Sequence, residues 1–264
     1  MISINSHLRN LASELFISYR SVERSQINTS VETIISRLYS YFGDQVQNIE
    51  LFGSYSRDTI LPRKYDSRSD VDILIVFDTE SYTERAVSTY RNYLSNFANH
   101  WYSSSVSKKD FPTIVLELQR IKFDLVPAIE KYNFWGEAQL FIPDNSYGWM
   151  KTDPFSFSEE LREANTTFNS IVKPIVRLLK YWNCSAADYA FPSFILEQII
   201  AEMDFSGDDL QSGFFYAIEE MPYPDNYKDY KVDSLRSNAE RVLDYLAIYD
   251  RKRAMSWLSR ILPN

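Results

Sequence analysis

The run Val71 to Phe77 reads VDILIVF, and it constrains the fold more than any other stretch of the sequence. Seven residues rich in β-branched side chains are too short for a typical helix, so the run reads as a strand. A helical period flanks it on both sides. Leu8, Leu11, Leu15 and Tyr19 recur at helical spacing, and Val31, Ile34, Ile35, Leu38 and Phe42 mark a second helix after the capping-box pattern Thr29 to Glu32. The run Ile49 to Phe52 reads as a strand ending at Gly53. A helix is expected between Tyr82 and Trp101, and two strands, Pro112 to Leu118 and Ile121 to Val126, are joined around Gln119 and Arg120.

After Pro154 the strand signal stops. Ser156 and Glu159 repeat the capping-box spacing, and Ile171, Ile175, Leu178, Leu179 and Trp182 define a buried helical face that Pro174 should start or kink. Further helices are expected over Phe194 to Met203, Leu235 to Ile248 and Ala254 to Ile261, with loops at Asp204 to Gly213 and Pro222 to Tyr230. The expected class is α+β. A mixed sheet with helices fills residues 1–150, a helical lobe fills 151–264, and the seam lies near residues 145 to 156.

Composition closes off several alternatives. With 264 residues, 45% hydrophobic and 24% charged, the chain is long enough for a real core and too apolar for disorder. One cysteine, Cys184, makes neither an internal disulfide nor a thiolate cluster, which fits a cytoplasmic protein. No uncharged run approaches the roughly 20 residues that span a bilayer, and the first residues lack a secretory pattern. A net charge of -8 argues against long nucleic acid as a partner. His7, His100 and Cys184 form no catalytic or zinc spacing.

The chemistry concentrates between Leu51 and Phe77. Asp70 and Asp72 are two apart at the head of a strand, so both carboxylates project from one face. Asp-x-Asp is commonly a turn device, but two like charges held together normally imply a cation between them. Oxygen ligands favour Mg2+ or Mn2+. Asp124, set among apolar residues on a neighbouring strand, is the best candidate for a third ligand; pairing with a buried Lys or Arg is the alternative. Three carboxylates can hold two divalent ions roughly 4 Å apart, as phosphoryl transfer uses them. Gly53 and Ser54 can bring backbone N–H groups and a hydroxyl to a triphosphate.

GSYSRDT at Gly53 to Thr59, DVDILIVF at Asp70 to Phe77 and FDLVPA at Phe123 to Ala128 resemble the polymerase-β-like nucleotidyltransferase superfamily. More narrowly they are similar to the bacterial relatives of cyclic GMP-AMP synthase and oligoadenylate synthase, which make nucleotide second messengers in antiphage defence. GWMKTDP at Gly148 to Pro154, IVRLLKYWN at Ile175 to Asn183 and PSFILE at Pro192 to Glu197 are similar to motifs of that group's helical lobe.

The resemblance implies a polymerase-β-like core, a helical lobe closing a nucleotide cleft, and an Mg2+-dependent enzyme that joins NTPs, ATP among them, into a cyclic or short linear oligonucleotide, releasing pyrophosphate. It implies a downstream effector that reads the product. Asp70, Asp72 and Asp124 would bind two Mg2+ (or Mn2+) ions, with Asp124 also helping to deprotonate the attacking ribose hydroxyl. Gly53, Ser54, Lys180 and Ser193 would hold phosphates, and Phe194 would stack on a base. By residue type alone Phe194 is more often a core aromatic than a ligand platform.

Lys173, Arg177 and Lys180 share one helix face, which reads either as a phosphate-binding face or, for Lys173 and Arg177, as a solvated one. Arg57 and Arg63 lie on a polar loop, where solvation is the commoner fate. Two departures bear on donor placement: a long loop separates Ser54 from Asp70, and Asp58 stands where relatives often have glycine. The same chemistry with a tRNA, protein or DNA-strand acceptor, and a catalytically silent nucleotide-binding module, are the other readings the sequence leaves open.

Overall fold

The computed structural model describes residues 3–103, 106–110, 112–119, 121–144, 148–225 and 227–263, with the side chains of 106–110 excepted. Arg120 of the expected strand connection and residues 145–147 of the expected seam lie outside the described residues.

The chain forms two compact units. One comprises Ser18–Arg57 and Arg68–Ser156; the other comprises Met1–Ile17, Asp58–Ser67 and Phe157–Asn264. The expectation divides the chain once, between residues 150 and 151. In the structure the chain passes between units several times, because α1 (Ile4–Glu14) and the segment Asp58–Ser67 pack with the C-terminal helices. Leu8 and Leu61 are both fully buried in that helical core.

The first unit is built on a seven-stranded mixed sheet among the described residues, ordered β1-β2-β5-β4-β3, with β6 pairing β5 and β7. The strands are β1 (Val46–Phe52), β2 (Asp70–Phe77), β3 (Val106–Asp110), β4 (Thr113–Glu117), β5 (Lys122–Tyr132), β6 (Ala138–Pro143) and β7 (Trp149–Thr152). β2 and β5 run parallel at the centre; the other pairings are antiparallel. Val71, Ile73, Ile75 and Phe77 project from one face of β2 and are buried, with Phe77 packed against Phe42 of α2 (Val22–Phe42) and Tyr90 of α4 (Val87–Trp101). Leu74 and Val76 project from the other face and join Val126 and Ala128 in a second apolar cluster. Both faces of β2 are therefore covered beyond Asp72, which accounts for the unbroken apolar run.

Several elements differ from expectation. β3, β6 and β7 were not expected, and Gly148 to Pro154, taken for a helical-lobe motif, includes β7, which pairs with β6. α2 starts at Val22, where Ser21 Oγ accepts from the Arg24 N–H at 3.1 Å. Thr29 is mid-helix, its hydroxyl turned back to the Ser25 carbonyl at 3.0 Å, so Thr29 to Glu32 is no cap. Asp153 rather than Ser156 caps α5 (Ser156–Thr167), accepting from the Ser156 N–H at 3.0 Å.

In the helical unit, α6 (Val172–Ser185) is the central element, and Pro174 sits in its first turn, where no donor is needed. Around it pack α1, α7 (Ser193–Ala201) and the unexpected α8 (Leu210–Glu220). A Cβ on Gly213 of α8 would lie 3.0 Å from Ile175 Cδ1, so glycine permits the close approach of α8 to α6. α9 (Asp229–Ala247) and α10 (Arg251–Ile261) form an adjacent pair. Among the described residues, no helix is long and apolar enough to cross a membrane.

Candidate active site

The parallel register of β2 with β5 does what one local sequence window cannot. It sets Asp72 opposite Asp124 and Asp70 opposite Lys122. Residues opposed in register share a face, as do residues two apart on a strand. Asp70, Asp72, Asp124 and Lys122 thus stand together on the face that carries Leu74 and Val76. Further along this face a cavity of about 490 Å3 lies over Leu74 and Val76, walled by Asn48, Glu50, Glu130 and Lys151. A larger groove, about 890 Å3, runs along Ser25, Thr29 and Gln119, but none of the aspartates lines it. Chemistry, not volume, selects the site.

Gly53 begins the one-turn helix α3 (Gly53–Ser56) immediately after β1, with φ +73°. A Cβ built on it would fall 1.9 Å from Asp72 Oδ2. Both the left-handed backbone and the carboxylate pressed against it require glycine. Ser54 is half-buried. Tyr55 is buried and anchors the turn by donating to Asn28 Oδ1 at 2.6 Å, with Arg24 over its ring.

Electrostatics follow from this crowding. Burial, then the charges of Asp70 and Asp124, hold the Asp72 carboxyl well above the usual carboxylate range, and the opposing pull of Arg57 and Lys122 does not cancel them. Arg57 is only 6% exposed, so the loop arginine expected to be solvated is instead a buried charge acting on Asp72. Lys122 places its ammonium 3.0 Å from Asp70 Oδ2 and 3.5 Å from Asp124 Oδ1. Burial pulls that lysine down, but the attraction of Asp70 and Asp124 outweighs it and leaves the ammonium held above its ordinary value.

Sequence reasoning missed Lys122 altogether and discounted Arg57. The signal for Lys122 was present as Lys122-Phe123-Asp124, a cation two residues before the third aspartate and hence on its face.

Among the described residues no three His, Cys, Asp or Glu side chains close to metal-binding spacing. An ammonium instead bridges two of the three aspartates. The donor set nonetheless suits a hard cation. All its atoms are carboxylate oxygens, and a cation already sits against two of them.

The remaining site candidates lie in the helical unit. Lys180 is 5% exposed and bonds Glu197 Oε1 at 2.9 Å, a buried ion pair tying α6 to α7. Arg177 is buried too, donating to the carbonyls of Ala12 and Asp58 at 3.3 and 3.0 Å and lying over Phe16. Lys173 reaches Asp58 at 3.7 Å. The three cations on one helix face are engaged within their own unit, and Arg177 and Lys180 are not solvated. Ser193 opens α7 and is exposed; Phe194 is 45% exposed, edge-on to Phe157 at 5.0 Å. Asp58, the residue in the glycine position, has φ +61°, the conformation for which glycine is suited and which aspartate tolerates.

Comparison with known proteins bears on the family and the fold. A probable cyclic nucleotide synthase of Bacillus cereus is 27% identical over 183 residues, covering 57% of this chain and 54% of that protein. The chain therefore spans about half the length of that curated relative. Among solved structures, a STING-associated CdnE c-di-GMP synthase from Capnocytophaga granulosa superposes with a TM-score of 0.70 at 15% identity, over 93% of this chain and 88% of that one. Escherichia coli CdnC with ATP gives a TM-score of 0.68 at 15% identity, over 98% and 97%. At those identities the likeness establishes the fold alone, the α+β architecture these structures share. The model of the Second Messenger Oligonucleotide or Dinucleotide Synthetase domain matches residues 2–165, more than half of the chain and every residue of the aspartate cluster, so the chain belongs to that family.

Proposed function

We propose that this chain is a divalent-cation-dependent nucleotidyltransferase that joins NTPs, ATP among them, into a cyclic or short linear oligonucleotide messenger and releases pyrophosphate, as part of bacterial antiphage defence. The observation that carries the reading is the register that aligns Asp70, Asp72 and Asp124 on one face beside Gly53. Family membership supports the same chemistry.

Asp70, Asp72 and Asp124 would hold two Mg2+ or Mn2+ ions. Divalent ions held there neutralise triphosphate charge and ease ionisation of the attacking hydroxyl. The chain's own groups do the rest. An Asp124 oxygen accepts the proton of the ribose hydroxyl as its oxygen bonds to the α-phosphorus of the donor NTP, and the bond from that phosphorus to pyrophosphate breaks. Gly53 and Ser54 offer backbone N–H groups and a hydroxyl to the donor phosphates, and Gly53 leaves room for Asp72 to keep its position. In the helical unit, Ser193 presents an exposed hydroxyl and Phe194 an exposed ring suited to base stacking, while Lys180 serves a triphosphate by exchanging its contact with Glu197. The product leaves for an effector that reads it.

Incubation of the full chain with all four labelled NTPs and Mg2+ or Mn2+, resolved by chromatography and mass analysis, tests the proposal. A free oligonucleotide product that disappears in Asp70→Asn and Asp72→Asn is expected. Label on the polypeptide or on added tRNA, or product undiminished in those variants, rejects it.

A further inference from the structure

The aspartate cluster holds a cation of the chain's own. Lys122 opens β5 directly across the parallel ladder from Asp70, and its ammonium contacts Asp70 Oδ2 at 3.0 Å and Asp124 Oδ1 at 3.5 Å. One lysine thus spans carboxylates from both central strands. These are two of the three carboxylates a divalent ion would take. An ammonium and a divalent cation repel, so they compete for these carboxylates.

Lys122 also has somewhere to go. Its side chain is 23% exposed, and a four-carbon stem lets a lysine head leave for water while the stem stays on the sheet. Arg57, the other positive group acting on Asp72, is only 6% exposed and lacks that freedom.

Resting on the reading of the cluster as a divalent-cation site, we propose that Lys122 is its resident counter-ion. It holds Asp70 and Asp124 together while the site is free of metal and withdraws as a divalent ion loads, so that it sets the metal concentration at which the site fills. Lys122 is a positioning residue: it acts on the ligands and not on the nucleotide. Such a residue keeps three crowded carboxylates compatible with a folded sheet, at the cost of weaker metal binding.

The test is Mn2+ binding to the nucleotide-free full chain, followed by electron paramagnetic resonance, so that turnover is not the readout. Lys122→Met keeps the stem and removes the charge; it should tighten Mn2+ binding about tenfold, the scale of one partly buried charge contact. It should also lower the melting temperature of the metal-free protein and recover most of that loss at saturating Mn2+. Lys122→Arg, whose planar fork grips carboxylates more firmly, should weaken Mn2+ binding. Equal or weaker Mn2+ binding by Lys122→Met overturns the proposal, because the lysine would then support the metal geometry or be indifferent to it. If Lys122→Met does not fold, Lys122→Gln and Lys122→Arg decide on the same two signs. Asp72→Asn separates the two failures. If it leaves Mn2+ stoichiometry unchanged, the cation-site reading itself fails; if it abolishes binding while Lys122→Met matches the wild type, only the role of Lys122 fails.

Discussion

Replacing Gly53 by alanine separates a backbone cost from a cost to the site. At φ +73° an L-residue is strained by about 1–2 kcal/mol, whatever surrounds it. The added methyl would also sit 1.9 Å from Asp72 Oδ2 and 2.8 Å from its Cγ. Ordinary contact begins near 3.5 Å, so the carboxylate must retreat by more than about 1 Å or the turn must open. A displacement of that size at a reacting centre costs on the order of 100-fold in rate. Gly43→Ala is the control: its φ is +53°, and a Cβ there meets nothing within 4 Å. Urea unfolding followed by tryptophan fluorescence should give a loss of about 1–3 kcal/mol for Gly43→Ala, whose ψ of −131° lies outside the left-handed helical well, with NTP turnover near wild type. Gly53→Ala should lose more, about 2–4 kcal/mol, as overpacking adds to the backbone strain, and turnover should fall at least 100-fold. Equal stability losses in the two variants, with turnover retained in Gly53→Ala, would refute the claim that Asp72 and Gly53 are packed as one unit.

Three further outcomes follow from the same physics. Because Asp72 keeps its proton to higher pH in the folded chain than in the unfolded one, its ionisation opposes folding as pH climbs above 3.8. In metal-free buffer Asp72→Asn should therefore match the wild type near pH 4 and exceed its urea midpoint progressively toward neutrality, while turnover is lost; a constant offset across pH contradicts this. Glu197→Gln should destabilise by about 3–5 kcal/mol because it leaves the buried Lys180 ammonium unpaired, and Lys180→Met with Glu197→Leu should recover most of that loss. NTP affinity measured in the stable double variant then tells whether Lys180 has a phosphate to hold. Burial first, then the charge of Asp66, pushes the Cys184 thiol up to about 12, so alkylation at pH 8 should be at least 100-fold slower in the native chain than in urea; equal rates would show an open, ionisable thiol.

What the sequence revealed and what it hid divide along physical lines. β2 was legible because burial on both faces leaves a run that is nearly all apolar, and Asp70 with Asp72 because strand alternation is local. α6 was legible from its apolar stripe. β6 and β7 were not, since Ala138–Pro143 and Trp149–Thr152 are short and only partly buried, so neither alternation nor a long apolar run marks them. The caps failed for a related reason. Ser and Thr three residues before Glu are common within amphipathic helices, and only the backbone shows that Ser21 and Asp153 take the role. Lys122 was hidden because its partner Asp70 is set by strand register, a property of pairing rather than of spacing along the chain. The engagement of Arg177 and Lys180 was hidden likewise: one helix face looks the same in sequence whether it meets water or the carbonyls of Ala12 and Asp58.

The most direct test of the central claim is diffraction from crystals of the full chain grown with Mn2+ and a non-hydrolysable ATP analogue, using the anomalous signal of manganese to locate the ions. The account predicts Mn2+ between Asp70, Asp72 and Asp124, the analogue's phosphates against Gly53 and Ser54, and the Lys122 ammonium more than 4 Å from Asp70 Oδ2, beyond ion-pair range. Manganese bound elsewhere, with Lys122 still seated on Asp70 and Asp124, would contradict it.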